Sequence, residues 1–431
     1  MVFAQNRGYV IHAMMTLLMP RNAPVATITK SKFLTLLVII ILLSSSKGIC
    51  STDNGTLHNL FYRAKQGEHI VIAAIGGSIT QGARASSVEK RWINLVGQWF
   101  KKTIPEGKYT IINAGIGATG SARGAIRIRQ YVEHLKPDIV FIEFCVNDYA
   151  VSNYNPSETM EGLIRQLNAL QNKPVIILVC NARADLGTAE KKYEQLTKHY
   201  NIQLISILPH IKKVRKNKEL NLFFQENDIF HPSDRGHRYI ANEITKYLNS
   251  FYSSESKEKT LNKTIPQPPL FSNKYEKAVL LNAENYAPSH NSGWFVTGTK
   301  GHWWGLWWES STPESTLTFD IECTDIGIIF HQEKSGYGAI EVQIDELEPV
   351  TLDGYWENDW GGGQDALRII ASDLTSEKHE LKIKLLSNKN KKSSSHLFKL
   401  KGLSVAGCLQ SFCDNIVKKG TLSVPKSITV Y

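Results

Sequence analysis

Between residues 68 and 252, short apolar runs alternate with stretches whose apolar residues recur at helical spacing. The runs cover 69–75, 109–113, 138–145, 174–180 and 203–208. They are rich in Val and Ile and nearly continuous in apolarity, as strands buried on both faces are. Helical patterns fall between them, over 91–102, 121–135, 157–170 and 189–200, and a last helix is expected over 233–252. Strand and helix in alternation predict a parallel sheet with helices on both faces.

The pattern then changes twice. Residues 253–259 are polar, and Pro266, Pro268 and Pro269 follow, which reads as an interdomain linker. From about 270 to 408, the segments 317–321, 326–331, 340–344 and 379–385 alternate in period two and are separated by turn residues such as Ser335-Gly336 and Asp353-Gly354. That predicts an antiparallel, all-β sandwich of jelly-roll type. No internal repeat is visible, and the tail beyond Cys408 carries no pattern.

Composition changes this picture little. A chain of 431 residues exceeds one ordinary core and fits two domains. Its net charge is +10, but the lysines are scattered, as at Lys212-Lys213 and 389–392, and no aromatic-basic interleaving marks a nucleic-acid site. Lys30 and Lys32 precede an apolar run over 33–43, and Ser44, Ser45, Ser46 and Gly48 follow. That order reads as an export signal, with Met15 and Met19 as alternative starts, and implies a secreted or periplasmic, extracytoplasmic protein. The run is short for a membrane span, so a membrane is a partner only if this segment stays uncleaved. Lys47-Gly48-Ile49 before Cys50 lacks the small residue expected beside a lipidated cysteine. Six cysteines exclude a disulfide scaffold. Cys145 and Cys180 end apolar runs and read as buried thiols rather than a bridge, whereas Cys408 and Cys413 are close enough to pair. No Cys/His cluster has zinc spacing, and no metal or other cofactor is expected.

In a sheet of this kind the site forms at the carboxyl edge, so the residues after each strand matter most. After the first strand, Gly76-Gly77-Ser78 lets the chain turn sharply and exposes a hydroxyl, although a capping serine would look the same. After the second, a glycine-rich stretch over 113–121 presents backbone amides to a phosphate or an oxyanion. It contains a loose dinucleotide-type pattern, Gly115-Ile116-Gly117-Ala118-Thr119-Gly120, without the acidic residue such sites need after the next strand. After the third comes Asn147-Asp148, either an oxyanion donor or a turn-forming pair. After the fifth, Asp228 lies three residues before His231, close enough to fold back onto its Nδ1, and Pro232 fixes the start of the next helix. Asp234 and Asp185 are alternative partners without that local geometry, and His237 lies inside the helix, placed to pack or cap.

These four places, taken in order, resemble the four sequence blocks of the SGNH (GDSL-type) hydrolase family, over residues 70–250. The resemblance implies a flavodoxin-like three-layer α/β/α domain. It implies Ser78 as nucleophile, His231 as general base and acid, and Asp228 as its orienting partner. Asn147 and backbone amides of Ser78, Gly117 and Ala118 would form the oxyanion hole. Two departures stand out. The first block reads Gly-Gly-Ser where the family more often has Gly-Asp-Ser. The position of the family's oxyanion glycine falls on Ala118, beside Gly117. The expected layout is an export segment over 1–50, a hydrolase domain over 51–252, a linker over 253–269, a β-sandwich over 270–410 and a tail over 411–431.

The second domain carries Trp303, Trp304, Trp307 and Trp308 within six positions, and Trp294, Trp356 and Trp360 add to the density. A strand or helix cannot bury all four, so they are candidates for stacking on sugar rings; a tryptophan-rich core is the competing reading. Glycan binding, export and the Gly-Gly form of the first block together point to a serine esterase acting on acylated, chiefly acetylated, carbohydrate. A lipase or phospholipase, an O-acyltransferase, and a non-catalytic carbohydrate-binding protein are the alternatives.

Overall fold

The computed structural model describes residues 54–252, 265–300, 305–357, 363–419 and 428–430. The export segment, the polar stretch 253–264, Trp303, Trp304 and Trp360 lie outside the described residues. Among the described residues, no helix is long and apolar enough to cross a membrane.

Five parallel strands form the first sheet: β1 (His69–Gly76), β2 (Lys108–Gly115), β3 (Ile139–Glu143), β4 (Val175–Cys180) and β5 (Gln203–Ser206). Their order is β2-β1-β3-β4-β5, the flavodoxin-like order. Alternate residues of β1 feed opposite faces. Ile70, Ile72 and Ala74 join one buried cluster; Ala73 and Ile75 join the other. The first cluster is closed by helices α1 (Asn54–Lys65), α3 (Trp92–Thr103), α7 (Leu208–Lys216) and α8 (Asp234–Tyr252). The second is closed by α4 (Ser121–Tyr131), α5 (Pro156–Ala169) and α6 (Glu190–Tyr200). Helix α2 (Ser78–Gln81) is one short turn after β1.

Local sequence accounts for these elements. In α3, Trp92, Ile93, Val96, Gly97 and Phe100 are buried at helical spacing, and Lys101 and Lys102 sit at the negative end of its dipole. In α5, the Asn155 side chain caps the first turn by accepting from Ser157 N at 3.1 Å, and proline occupies the first position.

The second half is a sandwich of two antiparallel sheets. One has the order β13 (Val350–Asp353), β12 (Ala339–Ile344), β15 (Glu377–Leu385), β10 (Thr316–Cys323), β7 (His290–Ser292). The other has β14 (Gln364–Ala371), β11 (Asp325–Gln332), β16 (Phe398–Ala406), β9 (Leu306–Ser310), β8 (Phe295–Gly298), with β6 (Ala278–Leu281) also paired to β16. Strand β10 alternates half-buried and buried along its length, and Leu317, Phe319 and Ile321 meet Ile328, Phe330 and Leu400 of the facing sheet.

The tail is more structured than its sequence suggests. Helix α9 (Gln410–Lys419) buries Cys413 and Ile416 in the sandwich core, and Ile428–Val430 pairs antiparallel with β2. Cys408 and Cys413 are joined. Cys145 and Cys180 are joined as well, against the expectation of separate thiols. The reason is topological: β3 and β4 are neighbours, and both cysteines reach the same carboxyl edge with their Cα atoms 5.2 Å apart.

The described end of the linker is not a free tether. The buried carboxylate of Glu161 accepts from the backbone N–H groups of Leu270, Phe271 and Ser272 at 2.5, 2.6 and 2.8 Å, and from Tyr200 Oη at 2.5 Å. Arg165, also buried, donates to Glu276, to Pro266 O at 2.8 Å and to Tyr200 Oη at 3.0 Å. A Cβ on Gly162 would lie 2.1 Å from Tyr275 Cβ, so α5 and residue 275 touch where only glycine fits. Removing a buried carboxylate that satisfies three amides strands those donors. Glu161→Ala is expected to lower folding stability by about 3 kcal/mol, read from the midpoint of urea unfolding at unchanged slope.

Candidate active site

The strand registers align the carboxyl ends of β1, β2 and β3: Gly76 pairs with Gly115 on one side and with Glu143 on the other. The turn after β1 enters this crowded edge. A Cβ at residue 76 would lie 2.1 Å from Thr80 Oγ1 and 2.6 Å from Glu143 O. One at residue 77 would lie 2.3 Å from Asn147 Oδ1, which accounts for the Gly-Gly form of the first block. Gly77 N donates to Glu143 O at 3.2 Å, and Ser78 opens α2.

Ser78 Oγ lies 2.9 Å from His231 Nε2, and His231 Nδ1 lies 2.8 Å from Asp228 Oδ2. The Asp228 carboxylate folds back on its own turn, accepting from Phe230 N at 2.9 Å and His231 N at 3.0 Å through Oδ1. Arg84 Nε donates to Oδ2 at 3.0 Å. Burial opposes the charge on Asp228, but the hydrogen bonds from His231, the two amides and Arg84 outweigh it and hold its pKa at about 2. A lowered pKa means that this carboxylate adds stability above its ordinary range and loses it as the pH falls toward about 2. A hydroxyl, an imidazole and a fixed carboxylate in this sequence of contacts make up the arrangement that activates a serine hydroxyl.

Neither alternative acid reaches His231 in these contacts. Asp234 accepts from Ser86 N, Ser86 Oγ and Lys90 Nζ, and those bonds hold its pKa at about 2. Asp185 pairs with Arg183 and accepts from Gly187 N. His237 is buried with its Nε2 3.1 Å from Ala83 O, and burial pushes its pKa down to about 4.

The second and third blocks flank the serine. A Cβ at Gly117 would lie 3.9 Å from Ser78 Cβ, and Ala118 takes a left-handed φ of 56°. Asn113 pins the β2 turn to α2 by donating to Thr80 O at 2.8 Å. Asn147 stands against Gly77, as described above. The glycine-rich stretch leads into α4, whose first amide, Ser121 N, is taken by Asp148 Oδ1 at 3.0 Å.

Asp148 is the residue that sequence reading undervalued. It is fully buried, and besides Ser121 N it accepts from Tyr154 Oη at 2.7 Å and from Tyr193 Oη. It thereby ties the Asn147 turn to the starts of α4 and α6. Burial raises its pKa, with the three hydrogen-bond donors working against that. Arg127 was also illegible. Its buried guanidinium donates to Ala114 O at 2.6 Å and Gly76 O at 3.0 Å, bracing the ends of β2 and β1. Burial lowers its pKa to about 9. Glu143, at the end of β3, is wholly buried, and burial raises its pKa to about 7 against a hydrogen bond from Thr80 Oγ1 at 3.2 Å.

Of the four tryptophans expected to meet sugar, Trp303 and Trp304 lie outside the described residues, and Trp307 and Trp308 do not stand open as expected. Trp308 is 1% exposed and packs edge-on against Phe319 in the sandwich core, because β9 points alternate residues inward. Trp307 faces outward, but Lys401 Nζ lies 3.1 Å from its ring centroid and a Cβ on Gly298 would meet the ring at 2.6 Å. Neither presents an open face to a sugar. Among the described residues, no group of three His, Cys, Asp or Glu side chains could hold a metal ion. Asp148→Ala leaves a buried amide and two phenols without an acceptor, and is expected to cost about 3 kcal/mol in urea unfolding; Tyr193→Phe removes one donor and is expected to cost about 1 kcal/mol.

Comparison with known proteins fits this geometry. Residues 74–239 match the family model of the GDSL-like lipase/acylhydrolases. None of the curated proteins matches the chain by sequence. Among solved structures, a two-domain esterase active on acetylated mannans, co-crystallised with mannopentaose, is similar at 27% identity and a TM-score of 0.74 over 82% of this chain and 95% of that one. A second structure described as a two-domain esterase active on acetylated mannans gives 27% identity and 0.74 over 83% and 97%. The chain thus carries, over residues 74–239, a hydrolase domain of the GDSL-like lipase/acylhydrolase family followed by a β-sandwich, and it is an enzyme that hydrolyses ester bonds.

Proposed function

We propose that the protein is a serine esterase that removes acetyl groups from polysaccharide, with Ser78 as nucleophile, His231 as base and acid, and Asp228 as the orienting carboxylate. The observation that carries the reading is the unbroken contact from Ser78 Oγ through His231 to Asp228 at the carboxyl edge of the sheet. The substrate class is supported by the similarity, over most of both chains, to an esterase active on acetylated mannans.

Ser78 Oγ attacks the ester carbonyl while its proton passes to His231 Nε2. The Asn147 amide and backbone N–H groups of Ser78 and the 117–118 segment hold the developing oxyanion. As the tetrahedral species collapses, His231 returns the proton to the leaving sugar hydroxyl, and acetyl-Ser78 remains. Water, deprotonated by His231, then attacks the acyl-enzyme, releasing acetate and restoring the serine.

Export is part of the reading. The basic, apolar and small-residue order over 30–48 supports it, and so do the pairs Cys145–Cys180 and Cys408–Cys413, which suit an oxidising compartment.

Ser78→Ala is expected to abolish acetate release from acetylated mannan, acetylated xylan and p-nitrophenyl acetate with its melting profile unchanged; wild-type rates in that variant sink the assignment. Asp228→Asn is expected to lower kcat/KM by about 10⁴-fold. Because Asp228 stays ionised down to about pH 2, its own titration should add no limb to the wild-type kcat/KM profile between pH 5 and pH 9, and Asp228→Asn activity within about tenfold of wild type at neutral pH counts against its role.

A further inference from the structure

The rim of the site carries exposed apolar side chains that neither the fold nor the chemistry above explains. Tyr149, two residues beyond Asn147, is 45% exposed; Phe230, next to His231, is 41% exposed, and Ile229 is 44% exposed. Tyr149 and Phe230 come from different turns, and Arg183 joins them. Its guanidinium carbon lies 4.9 Å from the Phe230 ring centroid and 5.8 Å from that of Tyr149. The three form one ridge beside the turns that carry Asn147 and His231.

The ridge is held in place by backbone. Ala184 N donates to Ile229 O at 2.9 Å, and Arg183 N to Gly187 O at 2.9 Å. A Cβ on Gly187 would come within 2.7 Å of the Tyr149 ring, so the loop packs directly beneath it. Asp185 takes one arm of the guanidinium. The Nε of Arg183 is buried and has no acceptor among the described residues. Tyr149 and Phe230 stay 45% and 41% exposed despite the guanidinium between them, and exposed aromatic surface held this way suits a ligand that is flat and apolar on one face. A preorganised ridge of this kind loses little freedom when the ligand docks.

We infer that Tyr149, Phe230 and Arg183 form the subsite that binds the pyranose ring carrying the scissile ester, or the ring next to it. The inference rests on the carbohydrate-esterase reading of the site and takes the place of Trp307 and Trp308 as its sugar platform. Position argues for this occupant: a sugar whose acyl carbon meets Ser78 has its ring between the turns bearing Asn147 and His231, and those turns supply the ridge.

The test compares Tyr149→Ala, Phe230→Ala and the double variant with wild type on two substrates: a soluble acetylated manno-oligosaccharide, and ethyl acetate, which has no ring. Each single variant is expected to raise KM for the oligosaccharide by about tenfold, and the double by more, with kcat changing less than KM. The ratio of kcat/KM for oligosaccharide to that for ethyl acetate should fall in step. An unchanged ratio overturns the subsite while leaving the esterase reading intact. So does a loss seen only with long-chain p-nitrophenyl esters, which would assign the ridge to an acyl chain. Wild-type enzyme that cleaves ethyl acetate but no acetylated oligosaccharide overturns the carbohydrate reading, and the subsite with it.

Discussion

The geometry of the site depends on how closely the turn after β1 approaches the turn after β3. Gly77 N bonds to Glu143 O, and neither residue 76 nor residue 77 has room for a side chain. This contact sets Ser78 at the start of a short helix and places Asn147 beside it. A parallel register is needed for it, because only then do three strand ends stop at one level. The serine and the residues around it are thus arranged by backbone packing, before any side-chain chemistry enters.

Buried polar groups hold that packing in place. Asp148 fastens the Asn147 turn to α4 and α6, and Arg127 fastens the carbonyls of Gly76 and Ala114. Each takes a charge-bearing group out of water, which costs stability unless every lone pair and N–H finds a partner. Asp148 meets that condition through three donors. Arg127 meets it only in part, because its terminal nitrogens find two carbonyls while its buried Nε has no acceptor among the described residues, and burial lowers its pKa. These residues are spent on geometry, in the way that sites trade stability for preorganised dipoles.

The parts legible in the sequence were those written in periodicity. The parallel strands are apolar on both faces, so β1 to β5 stand out. The inner strands β10, β12 and β15 alternate in period two, whereas β11 is buried on both faces, with Ile328 and Phe330 in the sandwich core and Ile329 in the cluster under α4. Edge strands escaped notice because exposure removes the signal: β7 and β8 are His290–Ser292 and Phe295–Gly298, mostly exposed and too short to show a pattern. Helix α9 escaped because its buried residues pack on another element rather than on each other. Reading strand ends singled out Ser78, Asn147, Asp228 and His231, and the fold brings these four to one edge. Asp148 and Arg127 were not, since their roles rest on buried contacts with partners as distant as 45 and 51 residues. Trp307 and Trp308 misled because composition gives density and only the pleat gives direction: β9 sends Trp308 inward and leaves Trp307 to Lys401.

The same reasoning explains why the sandwich belongs with the catalytic half. Helix α4, whose first amide is held by Asp148, meets the sandwich along its whole length. Arg123 donates to Asp365 O at 3.2 Å, Arg129 pairs with Asp414 at 2.6 Å, and Gln130 donates to Leu280 O at 3.0 Å. Ile329, Leu367 and Ala406 of the sandwich belong to the buried cluster beneath that helix. The loop leading into α4 carries Gly117 and Ala118. A helix gripped at its start by Asp148 and along its flank by the sandwich cannot shift without moving that loop. The sandwich thus packs against the helix whose leading loop flanks Ser78.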